Sequence, residues 1–208
     1  NGYRTLKTDY KELINKIINF EYKDKNINRI FKILLFTGMR SGELWKMKRE
    51  NIKCRGDIYY FNIDDAKTIN GIREVPIHPY ILDDVLTMKW DFYKETKNQF
   101  QKMTRRELYK AIEKEKKEND TYVVHTMRAT FMKNILSQHL QTNPNIVPLL
   151  QEIVGHAKAP KVALTWDDYG KGTILEIKDA IVQSLDYSKK YIDNQEDEIN
   201  VEFFDDYE

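Results

Sequence analysis

The sequence contains a single cysteine, Cys54, in 208 residues, so no disulfide can form within the chain. It also lacks any long apolar run free of charge, and 32% of its residues are Asp, Glu, Lys or Arg, which argues against a membrane-spanning helix. No secretory leader opens it, because Asn1-Gly2-Tyr3-Arg4 has neither an initiator methionine nor a basic stretch followed by an apolar one. Such a beginning reads as that of a piece cut from a longer protein. Internal repeats and low-complexity linkers are absent, and the four histidines include no close pair with zinc-site spacing, so neither a cofactor nor a metal is expected. Cys54 alone reads as a small buried side chain in a reducing compartment, and the expected location is cytoplasmic.

What is present supports one well-filled core. Hydrophobic residues make up 41% of the chain and aromatic residues 12%. The formal net charge of +1 is unevenly spread. Residues 193–208 hold eight Asp or Glu and no Lys or Arg, so residues 1–192 carry 34 basic against 25 acidic side chains. We expect a domain over 1–192 and an acidic tail over 193–208 that is disordered or docks a partner. The basic body suits nucleic-acid phosphates through counterion release, although scattered lysines also make an ordinary solvated surface.

The apolar spacing gives the elements. Leu13, Ile14, Ile17 and Ile18 recur at helical spacing within Asp9–Tyr22, as do Ile30, Phe31, Leu34 and Leu35 within Ile27–Phe36, and both read as core helices. Gly38 can end the second, and Ser41, Glu43, Leu44 and Met47 open a short helix beyond it, with Arg40 at the junction. Two strands, Ile58–Ile63 and Ile72–Ile77, flank a connection containing Lys67 and Asn70-Gly71. After Pro79 a helix presents Ile81, Leu82, Val85, Leu86, Trp90 and Tyr93 on one face. Thr104 and Glu107 have capping-box spacing for a charged surface helix over about 105–117. Further helices are expected near 126–140, 146–154 and 173–187. The fold class is therefore mainly α with a small antiparallel β-sheet.

The residues suited to chemistry are Arg40 in Thr37-Gly38-Met39-Arg40-Ser41-Gly42-Glu43-Leu44, Lys67, His125 and Arg128 in His125-Thr126-Met127-Arg128, His156 after Gly155, and Tyr169. Their order is Arg, Lys, His, Arg, His, Tyr. In that order the set resembles the catalytic domain of the tyrosine recombinase (phage integrase) family, over about residues 27–172 and including the hairpin that ends in Val75-Pro76-Ile77. The stretch from His156 to Tyr169 is a few residues longer than the commonest family spacing, while Thr165-Trp166-Asp167-Asp168-Tyr169-Gly170 still resembles the segment leading into the nucleophile.

The resemblance implies a tyrosine recombinase catalytic-domain fold and a site-specific recombinase or integrase that cleaves and rejoins double-stranded DNA through a 3′-phosphotyrosyl bond to Tyr169. It further implies a homotetramer on paired recombination sites, possible DNA-bending accessory proteins, a DNA-clamping helical domain absent from this fragment, and a role in integrating or excising a phage or other mobile element. By the same resemblance His156 hydrogen-bonds the scissile phosphate and Lys67 protonates the departing 5′-oxygen. The chemistry agrees: two fork-shaped, permanently charged guanidiniums, Arg40 and Arg128, can stabilise charge spreading over nonbridging oxygens in place of divalent ions. A phenol with an ordinary pKa of about 10 needs a base such as His125 and a positive field.

Taken singly, each residue has a plainer account. Arg40 can pair at a helix end, Lys67 can be a loop charge, and His125 with Arg128 can be one turn of a surface helix. His78 and His139 read as ordinary lone histidines, and Glu43 as a supporting residue that orients an arginine. Tyr187 and Tyr191, the fallback nucleophiles, read as packing or surface residues. The rival functions are an inactive DNA-binding protein of the same fold, a chromosome-dimer or transposon resolvase, and a metal-dependent nuclease using Asp64-Asp65 and Asp167-Asp168.

Overall fold

A computed structural model of the chain describes residues 10–64, 71–112, 124–143, 146–155 and 173–187. Helix α1 (Tyr10–Asn19) buries Ile14 and Ile17, and the turn after it is held by Tyr22, whose hydroxyl donates to the Ile17 carbonyl at 2.9 Å. Asp24 then caps α2 (Lys25–Thr37) by accepting from the Asn26 N–H at 2.9 Å. From Ile27 to Thr37 this helix is buried on most of its circumference, by Ile27, Ile30, Phe31, Ile33, Leu34, Leu35 and Phe36. Its polar residues Arg29 and Lys32 pair with Asp84, and α2 packs against α1, against α4 (Pro79–Thr87) and against α6 (His125–His139).

Gly38 ends α2 in the left-handed region at φ 63°, and the chain re-enters helix at once in α3 (Ser41–Lys46). A 3-10 turn at Arg49–Asn51 leads into a three-stranded antiparallel sheet of order β1-β2-β3, with β1 (Ile52–Arg55), β2 (Ile58–Ile63) and β3 (Arg73–Pro76). A two-residue turn, Gly56-Asp57, joins β1 to β2 and sets the register at Arg55 opposite Ile58. Across β2 and β3, Phe61 faces Val75 and Ile63 faces Arg73, so the inward face of the sheet is Phe61, Ile63, Val75 and an arginine.

The remaining helices close the core. α5 (Lys97–Ala111) packs on α3 and α1, α7 (Ile146–Val154) on α6 and β3, and α8 (Thr173–Gln183) on β3 and α7. Beyond α8 the chain turns back onto the centre: the Tyr187 hydroxyl donates to the Leu35 carbonyl in the last turn of α2, and its ring meets Phe36 edge-on at 5.1 Å. His78 accepts the Tyr80 N–H at 3.0 Å as the cap of α4, beside Phe36. Tyr187, His78 and His139, which bonds Ser184 at 2.7 Å, are thus engaged in packing and polar contacts of the fold. Among the described residues no helix is long and apolar enough to cross a membrane.

The class is as expected, mainly α with a small antiparallel sheet, and several boundaries differ for identifiable reasons. The sheet gains β1, a strand too short and polar to stand out in the sequence. Cys54 lies on that strand and is exposed, not buried. α4 stops at Thr87, and Trp90 is buried beyond it, ahead of a separate 3-10 turn at Phe92–Lys94. The cap of α5 lies eight residues before the expected one: Thr96 and Gln99 form the capping box, with Gln99 N–H to Thr96 Oγ1 at 3.2 Å and Thr96 N–H to Gln99 Oε1 at 2.8 Å. Thr104 is therefore inside the helix, buried, with its hydroxyl bonded back to the Phe100 carbonyl at 3.0 Å.

Gly38 has a second constraint besides its φ. A Cβ there would lie 2.5 Å from Phe131 Cδ1 and 3.1 Å from Val154 Cγ1, whereas a Cβ on Gly56, at φ 58°, would meet nothing within 4 Å. Gly56→Ala should cost about 1 kcal/mol, the backbone penalty alone. Gly38→Ala adds overpacking against α6 and α7 and should cost about 3 kcal/mol, lowering Tm by about 6–12 °C. Thermal unfolding followed by circular dichroism compares the two; equal losses would show that the helices yield to the extra methyl.

Candidate active site

The site grows from the α2–α3 junction. Thr37 bonds its own helix through Oγ1 to the Ile33 carbonyl at 2.6 Å and accepts the Met39 N–H at 3.3 Å, which shapes the exit around Gly38. Arg40 follows in extended conformation as the N-cap of α3. Its backbone N–H is taken by Glu43 Oε2 at 2.8 Å, the reach-back half of a capping box, and its Nη1 donates to Glu43 Oε1 at 3.1 Å. Nη2 lies 3.4 Å from the Gly155 carbonyl. The side chain remains 39% exposed, enough for a charged group to approach.

Arg128 reaches the same junction from α6. It is 1% exposed, and its Nη1 donates to the Gly38 carbonyl at 2.7 Å, just beyond the last turn of α2. Phe131, one turn further along α6, supplies the ring against Gly38, so packing and hydrogen bonding fix the same approach. His125 is the first residue of α6 and half-buried, three positions before Arg128. Helix periodicity sets these two on one face, at a helix N-terminus whose leading N–H groups favour negative charge.

Beneath Arg40 lies a residue that the sequence did not single out. Arg73, with its side chain 3% exposed, donates from Nη2 to Glu43 Oε2 at 2.9 Å and from Nη1 to Glu43 Oε1 at 3.0 Å, a bidentate pair on the carboxylate that also holds Arg40. Burial would raise the Glu43 pKa, but the Arg73 hydrogen bonds and charge, with the Arg40 N–H and guanidinium, outweigh it and lower the carboxyl from 4.5 to about 2. Strand parity held the signal for Arg73: once Val75 and Ile77 point inward, Arg73 must as well.

Of the six expected residues, the structure brings Arg40, His125 and Arg128 to one end of the α2–α6 pair. Lys67, His156 and Tyr169 lie outside the described residues, as do Tyr191, Asp65, Asp167 and Asp168. Gly155, whose carbonyl faces Arg40, immediately precedes His156. Asp64 is exposed, 3.5 Å from the amides of Asn51 and Asn62. No group of three or more His, Cys, Asp or Glu able to hold a metal ion occurs among the described residues.

No family model and no curated protein sequence matches the chain. Solved structures do. A XerH site-specific recombinase bound to palindromic difH substrate, a post-cleavage complex, superposes with a TM-score of 0.54 and 18% identity over 74% of this chain and 46% of that one. The pre-cleavage complex of XerH with difH gives 0.51 and 19% over 73% and 46%, and a XerA recombinase gives 0.53 and 18% over 90% and 62%. The chain thus matches about half the length of the XerH chains. At such identities the likeness is one of architecture, and the architecture is the tyrosine recombinase catalytic-domain fold.

A carboxyl whose folded pKa is below its unfolded value stabilises the protein fully above about pH 5 and loses that contribution as pH falls toward 2. Glu43→Gln removes this titration. The stability gap between wild type and Glu43→Gln, from urea unfolding, should be about 2 kcal/mol narrower at pH 3 than at pH 7. A gap independent of pH would show that the arginines do no more than offset the cost of burying the carboxylate.

Proposed function

We propose that this chain, built on the recombinase catalytic fold, breaks and rejoins DNA strands in site-specific recombination, with Tyr169 as nucleophile. The observation that carries the reading is that Arg128, from α6, bonds the Gly38 carbonyl two residues before the partly exposed Arg40, with His125 one helical turn from Arg128 along α6. Two guanidiniums brought to one junction suit a pentavalent phosphate better than they suit a stable core, where buried positive charge is costly.

The proposed reaction has the Tyr169 phenolic oxygen attack the phosphorus. The tyrosyl O–P bond forms and the P–O5′ bond breaks. Arg40, the partly exposed guanidinium, binds a nonbridging oxygen, while Arg128 adds its charge from behind. His125 handles the phenolic proton, His156 hydrogen-bonds the phosphate, and Lys67 delivers a proton to the departing 5′-oxygen. The product is a 3′-phosphotyrosyl bond and a free 5′-hydroxyl. Because one phosphoester replaces another, a 5′-hydroxyl of a second strand reverses the step without ATP or a metal ion.

The XerH structures are complexes with difH substrate, which supports a double-stranded DNA partner here. We place the protein in the cytoplasm, as a homotetramer on paired sites with DNA-bending accessory proteins available. Its expected role is integration or excision of a phage or other mobile element, with resolution of chromosome dimers or transposons as the second reading.

A nicked suicide duplex tests the chemistry, since loss of the short leaving fragment traps the covalent complex. At low salt and in excess EDTA, wild-type protein should form an adduct that maps to Tyr169, Tyr169→Phe should form none, and Arg40→Ala should form it about 10²-fold or more slowly. DNA binding with no adduct would favour the inactive DNA-binding protein. Cleavage that EDTA abolishes would favour the nuclease.

A further inference from the structure

Arg73 makes more contacts than its ion pair with Glu43 requires. Its Nε donates to the Ile153 carbonyl at 2.8 Å and its Nη1 also donates to the Gly71 carbonyl at 2.9 Å. One guanidinium thereby joins three separate parts of the chain: the first turn of α3 through Glu43, the last turn of α7 through Ile153, and the segment entering β3 through Gly71. The fit is tight. A Cβ on Gly155 would lie 2.6 Å from Arg73 Nη1, so the chain leaving α7, which is at φ 74° there, passes directly over the guanidinium.

Stability alone does not call for this arrangement. A buried ion pair can often be replaced by packed apolar side chains with no loss of stability, because desolvation offsets most of the attraction. What a guanidinium supplies and an apolar side chain does not is direction: a rigid plane of donors, each with a fixed angle. Ile153 contributes one of the unpaired carbonyls at the end of α7, Glu43 is the sole side chain holding both the N–H and the guanidinium of Arg40 in the described contacts, and all are bound to one planar group.

We propose that Arg73 is a positioning residue of the reaction, fixing the Arg40 guanidinium through Glu43 and locking α3, α7 and the start of β3 into one frame around it. This rests on the strand-transfer reading of the site. Arg73 is buried and its donors are directed at Glu43, Ile153 and Gly71, so it acts on substrate only through the groups it holds.

The test is a double-substitution cycle on the full chain, read as the single-turnover rate of adduct formation with the suicide duplex, with duplex affinity and circular dichroism measured beside it. Arg73→Lys, which keeps the charge and loses the fork, should leave affinity within about threefold and slow adduct formation about 30-fold or more. In an Arg40→Ala background the same substitution should slow it less than about threefold, because the group it positions is gone. If Arg73→Lys does not fold, Glu43→Gln takes its place, with the same loss expected and the same disappearance of that loss without Arg40. A folded Arg73→Lys with the wild-type rate overturns the proposal, as does an equal fractional loss in both backgrounds, which marks a general structural role. Absence of any adduct from wild-type protein overturns the recombination reading itself, and the role given to Arg73 falls with it.

Discussion

One carboxylate shared between two arginines organises the centre of this protein. Glu43 is largely buried, and a buried negative charge persists only where donors and positive charge compensate for lost water. Arg73 provides that from below and Arg40 from above. The count is uneven: two guanidiniums face one carboxylate, so the cluster carries net positive charge, and the partly exposed Arg40 is where it meets solvent. An anion arriving there meets a charge already oriented, with the cost of orienting it met during folding.

The same constraint explains why the surrounding backbone is so close-packed. Gly38 brings the end of α2 against Phe131 and Val154, and Gly155 brings the end of α7 over Arg73. Both glycines have positive φ and both approaches exclude a methyl group, so they bring segments far apart in sequence to within hydrogen-bonding reach of buried guanidiniums. Arg128 takes advantage of the first by bonding the Gly38 carbonyl.

Much of this was legible in the sequence, for reasons that differ by element. The periodicity of α2 and α7 is strong because each buries an apolar face, and Gly38 marks an end that only a residue tolerant of the left-handed region fills readily. Arg40, His125 and Arg128 stand out by order and spacing, and the structure sets Arg40 just after the Gly38 carbonyl that Arg128 bonds, with His125 one turn earlier on α6. β1 was not legible because Lys53, Cys54 and Arg55 form an edge strand with little buried surface, where exposure leaves the hydrophobic pattern empty. The start of α5 was misplaced because Thr104-x-x-Glu107 and Thr96-x-x-Gln99 have equal local merit, and only tertiary burial of Phe100 and Thr104 decides between them. Arg73 is hard to read because a charged residue at the head of a strand looks like a solvent-facing one until an acidic partner 30 positions away is brought against it.

Tyr187 has a consequence for whatever chain comes after it. By donating to the Leu35 carbonyl and wedging against Phe36, it moors the polypeptide downstream of α8 to the central helix, three residues from Gly38. The mooring is therefore mechanical as well as stabilising. A tug on the following segment is transmitted to the end of α2, next to the junction that Arg40 follows, and does not first have to peel α8 from the sheet.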